Sequence, residues 1–212
     1  MNINHIFIFC DNHDEVANEL IEFGFFEGSN RIHANQGTRN RKFYFNDFYI
    51  EIIWVHSIEE ATNKITKPTK LYERSKYKTN GSSPFGLCVN YSSKDDVLFE
   101  NCLNYKPTYL PENMIIEVLT NENSVTLPWT FRWKSDIVIP PPIEPINFSK
   151  QKLSKVIFGI KKNEIQNEYL NLFISDEIFF EDTKNEFLKL FFDSKHDKKN
   201  HAFNSIPLIL EY

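Results

Sequence analysis

The chain has 212 residues, of which 41% are hydrophobic, 15% aromatic and 25% charged. This composition is sufficient for a hydrophobic core in one large domain or two small ones, and it excludes a disordered chain. A net charge of -5 disfavours a nucleic-acid-binding protein, and no apolar run reaches the ~20 residues of a membrane helix. The amino terminus does not resemble a signal peptide. We therefore expect a cytoplasmic monomer or homodimer that contacts neither nucleic acid nor membrane.

The first 55 residues predict a β-α-β-β-β unit. An apolar run rich in β-branched and aromatic residues indicates the first strand, and Gly24 ends the helix that follows. Turns are expected at Gly37 and at Asn46-Asp47. The predicted elements are a strand over 3–10, a helix over 14–23, and strands over 27–36, 41–45 and 48–55.

A second, partial unit is expected after a long polar segment. Residues 57–83 are rich in lysine and are interpreted as a loop with one helical turn at 58–61. After this loop the pattern indicates strands, a short helix and one uncertain element around 105–110. The predicted elements are strands over 85–91, 114–119 and 126–133, and a helix over 94–103.

A proline triplet at 140–142, followed by Pro145, marks a linker over residues 136–150. Residues 1–135, which include the long loop, would then hold the first two units, and residues 151–212 a third. The third unit again has the order β-α-β-β-β. Its predicted elements are a strand over 155–160, a helix over 163–173, and strands over 177–180, 186–192 and 207–210.

The recurrence of one pattern predicts the fold class, because internal repetition is a signal at the level of the fold. We expect an α+β protein in which paired βαβββ units form curved mixed sheets around a cup, with an additional βαβββ-like unit at the carboxyl terminus. The pattern leaves open whether the first unit pairs with the second or with the last.

Two polar residues lie in otherwise apolar strands, His5 in the first and Glu51 in the fourth. Buried polar groups need partners, and burial raises the pKa of a carboxyl group that lacks one. Two interpretations remain open. His5 and Glu51 pair with each other or with Arg39 or Arg41, or else both bind a divalent metal, which accepts imidazole and carboxylate together.

The segment 33–41 carries the densest polar functionality of the chain. Strand alternation would place Arg39 and Arg41 on the same face as Phe43. If this face lines the cup, the two guanidinium groups could bind a carboxylate or phosphate of a ligand. Alternatively, both arginines neutralise acidic side chains on the rim. Arg74, in the long loop, is a weaker candidate of the same kind.

The sequence of the first unit resembles that of the vicinal oxygen chelate superfamily, which contains the glyoxalases, extradiol dioxygenases and fosfomycin and bleomycin resistance proteins. The resemblance rests on His5, on the helix that ends in Phe23-Gly24-Phe25, and on Glu51 in the strand 49–53. More narrowly, residues 33–40 followed by 49–52 resemble the signature of the glyoxalase-like domain family. Leu127-Pro128-Trp129 is similar to a later strand of that family.

The resemblance implies a ligand cup with an associated metal ion. The metal, Zn, Ni, Mn or Fe, would be held by His5 and Glu51, with Glu117 as a further carboxylate ligand. Glu51 or Glu117 would also serve as the catalytic base. Phe85 stands where the glyoxalases place a second histidine, which leaves the metal site either intact or vacated. The residues expected to bind the ligand are His33, Gln36, Arg39, Asn40, Arg41, Phe43 and Phe85.

Two main functions follow from this resemblance. The first is a metal-dependent lyase, isomerase or dioxygenase that acts on a small polar or anionic metabolite, with the metal as Lewis acid. The second is a metal-free protein that binds a small molecule without catalysis, as resistance proteins of the sequestering type do. A dimeric scaffold without a ligand is a third reading, because a fold does not by itself imply a function.

Overall fold

The computed structural model describes residues 3–135, 143–161, 167–193 and 198–212. It is an α+β structure with two mixed sheets, as the sequence pattern predicts. Eight strands form the first sheet, in the order β2-β3-β4-β1-β5-β8-β7-β6. These strands are β1 (Ile3–Phe9), β2 (Arg31–His33), β3 (Thr38–Tyr44), β4 (Tyr49–Val55), β5 (Phe85–Val89), β6 (Leu103–Tyr105), β7 (Met114–Leu119) and β8 (Trp129–Ser135).

The helices are short, and the longest in the described part of the chain, α1, has 10 residues. None of the helices in the described ranges is long and apolar enough to cross a membrane. The helices are α1 (His13–Glu22), α2 (Ile58–Ala61), α3 (Leu71–Ser75), α4 (Tyr77–Asn80), α5 (Asp96–Phe99) and α6 (Asn167–Leu172), with 3-10 turns at Lys67–Thr69, Ser93–Asp95 and Ile174–Asp176.

The eight-stranded sheet consists of two units joined side by side. In each unit the first strand runs parallel to the last, β1 to β4 and β5 to β8. Antiparallel pairing of β1 with β5, with Ile6 opposite Leu87, joins the two units. The first unit therefore pairs with the second, and the sheet curls around a cup.

The carboxyl-terminal unit forms a separate five-stranded sheet, in the order β10-β9-β11-β13-β12. Apart from one additional short strand, its element order agrees with the predicted β-α-β-β-β pattern. Its strand pairing differs from that of the first two units, because the first strand, β9, lies between β10 and β11 and not beside the last strand. The short strand β12 was not predicted. The proline triplet and the first part of the predicted helix lie outside the described residues. The strands are β9 (Leu153–Ile160), β10 (Ile178–Asp182), β11 (Phe187–Phe192), β12 (Asn200–Ala202) and β13 (Leu208–Glu211).

The second sheet and α1 cover the face of the first sheet that lies opposite the cup. The ring of Phe85 lies 5.7 Å from that of Phe158, and the hydroxyl groups of Thr130 and Tyr169 are 2.5 Å apart. Side chains of successive strand residues alternate between faces, so Ile6 enters this core while His5 faces the cup. The central strands are therefore buried on both faces, which explains their nearly continuous apolar sequences.

The predicted loop over residues 57–83 is instead largely helical. The helical turn expected at 58–61 is present as α2, but α3 and α4 follow it, so the interpretation of the remainder as a loop was wrong. Arg74 holds this segment in place from α3, where its buried guanidinium donates hydrogen bonds to four backbone carbonyl groups. The carbonyls belong to Thr120, Asn121, Val125 and Leu127, in the connection between β7 and β8. Arg74 is thus a structural residue and does not bind a ligand in the cup.

We expect Arg74→Met to destabilise the fold by about 3 kcal/mol or more, because four buried carbonyl groups lose their donors. Urea unfolding followed by circular dichroism measures this loss. Lys76→Met, an exposed change on the same segment, is the matched control and should alter stability by less than about 0.5 kcal/mol. An Arg74→Met protein as stable as this control would contradict the assigned role.

Candidate functional site

The concave side of the eight-stranded sheet encloses a cavity of about 620 Å³. Both units contribute to its wall, β1, β3 and β4 from the first and β7 and β8 from the second. A cavity of this volume is in the range of small-molecule binding sites. Its lining combines aromatic side chains with a compact group of buried polar residues.

His5 and Glu51 lie next to each other in the wall of the cup. Nε2 of His5 is 3.5 Å from Oε2 of Glu51, and both side chains are almost fully buried. The parallel pairing of β1 with β4 sets this contact, because it places His5 beside Tyr49, two residues before Glu51. The imidazole ring stacks on the Tyr49 ring with a centroid distance of 4.4 Å. The structure thus brings His5 and Glu51 together, which both the pairing and the shared-metal interpretation require.

A chain of hydrogen bonds defines the tautomer of His5. The amide of Asn90 donates to the backbone carbonyl of Ile3, and Asn4 Nδ2 donates to Oδ1 of Asn90. Oδ1 of Asn4 is therefore the acceptor in its 2.8 Å contact with Nδ1 of His5, and the imidazole carries its proton on Nδ1. The lone pair of Nε2 then faces Glu51.

A second chain of hydrogen bonds reaches Glu51 from the other side. The backbone N–H of Arg31 donates to Oδ1 of Asn40, and Nδ2 of Asn40 donates to Oε1 of Glu51 over 2.6 Å. Oε1 is thus an acceptor, so a proton on this carboxyl group belongs on Oε2, opposite the lone pair of His5. The two chains together leave one proton position between His5 and Glu51.

Burial moves the pKa values of both residues towards their neutral forms. Desolvation raises the pKa of Glu51 to about 7, against the lowering effect of the Asn40 hydrogen bond and of the charge on Lys42. Desolvation also lowers the pKa of His5 to about 3, with a further contribution from Lys42. At neutral pH the imidazole is neutral and the carboxyl group is close to half-protonated.

A network of polar side chains continues from this pair along β2 and β3. Nδ1 of His33 and Nε2 of Gln36 both lie within hydrogen-bond distance of the Thr38 hydroxyl, at 2.8 and 2.7 Å. The hydroxyl of Tyr109 donates to Oε1 of Gln36 over 2.9 Å. Tyr109 belongs to the connection between β6 and β7, so this contact links the two edges of the curled sheet. The predicted positions of His33, Gln36 and Asn40 at the cup agree with this arrangement.

Aromatic side chains form the opposite wall. The ring of His5 lies 5.2 Å from that of Phe131 and 6.3 Å from that of Trp133, in edge-on contact with both. Phe7 and Trp129 continue this wall, with a centroid distance of 5.7 Å. Such a surface suits the flat apolar part of an organic molecule.

Three of the predicted ligand-binding residues lie on the other face of β3. Arg39 is exposed, Arg41 binds Glu27 and Asp14, and Phe43 is buried in the core between the sheets. The prediction that this face lines the cup was therefore wrong, and for Arg41 the alternative of a structural ion pair applies. The register of β3 against β4 places the intervening residues Asn40 and Lys42 in the cup.

Lys42 is a residue of the cup that sequence reasoning missed. It lies directly opposite Glu51 in the β3–β4 pairing, and its ammonium group is 5.4 Å from the Tyr44 ring and 5.8 Å from the Tyr49 ring. No ion pair of Lys42 occurs within the described residues. The alternation of side chains along Asn40-Arg41-Lys42 indicates that Lys42 lies on the same face as Asn40. Only the register of β3 against β4 shows that this face lines the cup.

Glu117 and Phe85 do not join His5 and Glu51. Glu117 faces away from the cup and forms ion pairs with Arg132 at 2.6 Å and Lys134 at 3.1 Å, whereas its neighbour Ile116 lines the cavity. Phe85 likewise points to the core between the sheets, where it packs on Phe158. The strand alternation of β7 and β5 is the physical reason for both positions.

The donor groups of the cup provide two metal ligands at most. Nε2 of His5 and Oε2 of Glu51 are close enough to share an ion. The hydrogen bond that His5 donates to Asn4 and the one that Glu51 accepts from Asn40 resemble those that orient metal ligands. However, no three His, Cys, Asp or Glu side chains converge anywhere in the described ranges. A catalytic zinc site ordinarily has three protein ligands, so this donor set does not fit a tightly held divalent metal.

Comparisons with known proteins give a fold match but no family. No family model matches the sequence, and no curated protein matches it either. Among solved structures, a hypothetical protein from Staphylococcus aureus matches with a TM-score of 0.58 at 13% identity, covering 99% of this chain and 98% of that chain. This likeness shows a shared fold over nearly the whole length, including the carboxyl-terminal sheet.

Further solved structures match about two thirds of the chain. A Streptomyces coelicolor methylmalonyl-CoA epimerase in complex with 2-nitronate-propionyl-CoA has a TM-score of 0.44 at 17% identity, covering 66% of this chain and 99% of that chain. A hypothetical protein from Bacillus halodurans has a TM-score of 0.43 at 13% identity, covering 66% of this chain and 97% of that chain. At these TM-scores the matches carry no argument about function.

Proposed function

We propose that this chain is a glyoxalase-like protein of the vicinal oxygen chelate type that binds a small organic molecule in its cup, without a tightly held metal. The observation that carries this proposal is the cavity of about 620 Å³, in which buried polar groups face an aromatic wall. Apolar surface of this kind provides affinity, and a few oriented polar groups provide specificity. The resemblance of His5, of the segment 33–40 and of Glu51 to that superfamily supports the same conclusion.

The polar groups of the cup would recognise hydrogen-bonding atoms of the ligand. Asn40 and Glu51 are already engaged with each other, so their geometry is preorganised before a ligand arrives. The Glu51 carboxyl group can donate or accept a hydrogen bond at neutral pH, because burial raises its pKa to about 7. Such a site would suit a polar or anionic metabolite with a flat apolar body.

A test of binding needs a cup-filling variant and a matched control. Ile116 points into the cup, whereas its neighbour Ile115 on β7 points to the other face and is half-buried. We expect 2-naphthol to bind the native protein by isothermal titration calorimetry, with affinity lost in Ile116→Trp because the new ring occupies the cavity. Ile115→Trp should retain the affinity of the native protein. Equal loss in both variants, or no binding to the native protein, would contradict a ligand site in the cup.

The metal-dependent reading is tested by elemental analysis of protein purified without chelator. We expect no stoichiometric Zn, Ni, Mn or Fe, because His5 and Glu51 alone form an incomplete ligand set. Glu51→Gln is the comparison, since it retains the Asn40 hydrogen bond but removes the carboxylate. Stoichiometric metal in the native protein that is lost in Glu51→Gln would reject the metal-free proposal.

A second candidate function is a proton-transfer enzyme of the lyase or isomerase class, with Glu51 as the base. The contact of Glu51 Oε2 with His5 Nε2 favours it, because His5 stays neutral and the Glu51 carboxyl group is the one that gains and loses the proton. A base with a pKa close to 7 is well matched to proton transfer at neutral pH. The pKa of Glu51 in the folded protein is therefore the quantity to establish.

The stability of the fold should report this pKa. Glu51 has a pKa of about 7 when folded and an ordinary value of 4.5, so its favourable contribution is complete below pH 4.5 and is lost as pH rises through 7. Relative to the native protein, Glu51→Gln should gain about 2 kcal/mol in free energy of unfolding between pH 5 and pH 8. Urea unfolding at both pH values measures this gain.

The control for this measurement is Glu112→Gln, which changes an exposed carboxyl group in the connection between β6 and β7. Its stability relative to the native protein should be nearly the same at both pH values. A Glu51→Gln protein with the same flat difference would show that Glu51 titrates normally and is fully ionised at neutral pH.

A further inference from the structure

The cavity is lined by two carboxyl groups, Glu51 and Asp47, and by two cations, and within the described residues no ion pair joins them. Two cations line the cavity, Lys42 beside Glu51 and Arg31 at the rim, and neither forms an ion pair within the described ranges. By contrast, the arginines on the other face, Arg41 and Arg132, both bind carboxylates. Arg31 is exposed, whereas Lys42 is half-buried, and a half-buried cation that lines a cavity without an ion pair is a candidate for binding an anionic ligand.

Glu51 forms no ion pair with Lys42, although the charge of Lys42 lowers the pKa of the Glu51 carboxyl group. Oε1 of Glu51 accepts a hydrogen bond from Asn40, and Oε2 faces His5. Neither oxygen is directed at the ammonium group of Lys42. The distances of the ammonium from the Tyr44 and Tyr49 rings, 5.4 and 5.8 Å, correspond to cation–π contacts. These rings hold the lysine in position, and its three donor hydrogens meet no acidic acceptor in the part of the chain that the structure describes.

Arg31 is held at the rim by different contacts. Its guanidinium lies 5.2 Å from the ring centroid of Tyr109 and donates to the backbone carbonyl of the same residue over 3.3 Å. Only one of its five donor hydrogens is engaged by this hydrogen bond, so the remaining ones can reach a ligand at the mouth of the cup. Arg31 would add a second positive charge at the same side of the cavity.

The cation and the aromatic wall lie on opposite sides of the His5–Tyr49 stack. Tyr49 contacts Lys42 on one side, and His5 contacts Phe131 and Trp133 on the other. A molecule that fills the cavity would therefore place one end near the ammonium and its body against the aromatic rings.

We infer that the ligand of this cup is an aromatic or similarly flat organic anion, whose carboxylate or phosphate oxygens bind Lys42 as their counter-ion. This inference rests on the proposed function and adds the chemical class of the ligand and the residue that selects it. Lys42 takes the role that the sequence assigned to Arg39 and Arg41. A hydrogen bond to a desolvated charge is worth more than one between neutral groups, so the anion is preferred over a neutral analogue of the same shape.

The experiment compares 2-naphthoate with 2-naphthol, which have the same ring system and differ in charge at neutral pH. By isothermal titration calorimetry we expect the native protein to bind 2-naphthoate about tenfold or more tightly than 2-naphthol. Lys42→Met should remove this preference while it leaves the affinity for 2-naphthol nearly unchanged. Lys42→Arg should retain most of the preference, because it restores the charge.

Lys64→Met is the matched control, since it removes one positive charge from an exposed position outside the cavity. It should bind both probes as the native protein does. Equal affinity for the two probes, or a preference that survives in Lys42→Met, would overturn the anion site while the cup remains a binding site. Failure of both probes to bind would overturn the proposed function and this inference together.

Discussion

The antiparallel pairing of β1 with β5 is the constraint on which the cup depends. It joins the two β-α-β-β-β units edge to edge, so that eight strands curl around one cavity. The pairing requires a close approach at Gly86, because a Cβ atom there would lie 2.1 Å from the ring of Phe7. Glycine lets this ring lie over the backbone of the second unit, in the floor of the cup. Loss of this contact would separate His5 from the aromatic wall on β8.

A different pairing, that of β1 with β4, explains why a carboxyl group can be buried next to a histidine. β1 and β4 bring His5 and Glu51 together; His5 donates a hydrogen bond to Asn4 on one side, and Glu51 accepts one from Asn40 on the other. Each of these two chains of hydrogen bonds ends at a backbone group, the carbonyl of Ile3 in one and the N–H of Arg31 in the other. The fold therefore determines how the side-chain amides of Asn4 and Asn40 are oriented. The low polarity of the site then favours the neutral forms of both residues, and a single proton between them satisfies the remaining lone pair.

The carboxyl-terminal sheet packs against the back of the cup. It covers the face of β1 and β5 that would otherwise expose apolar side chains to water, through contacts such as Phe85 with Phe158. Since this core is packed independently of the cavity, side chains on the cup face are free to serve ligand recognition. The shared fold with the Staphylococcus aureus protein extends over nearly the whole chain, both sheets included.

The sequence by itself determined the type and order of the main strands and helices in the repeated units, but not α3, α4 or β12, and it placed His5 and Glu51 in apolar strands. These features depend on local periodicity and on turn residues, which act within a few positions along the chain. Only the tertiary structure decided which face of β3, β5 and β7 lines the cup, and therefore that Lys42 lies inside whereas Arg41, Phe85 and Glu117 do not. A shift of one residue in the pairing register exchanges the two faces of a strand. Because both faces of these strands carry apolar or mixed side chains, the local sequence pattern does not tell which face lines the cup. The pairing of the strands, which depends on packing between segments that are distant in sequence, decides which face lines the cup.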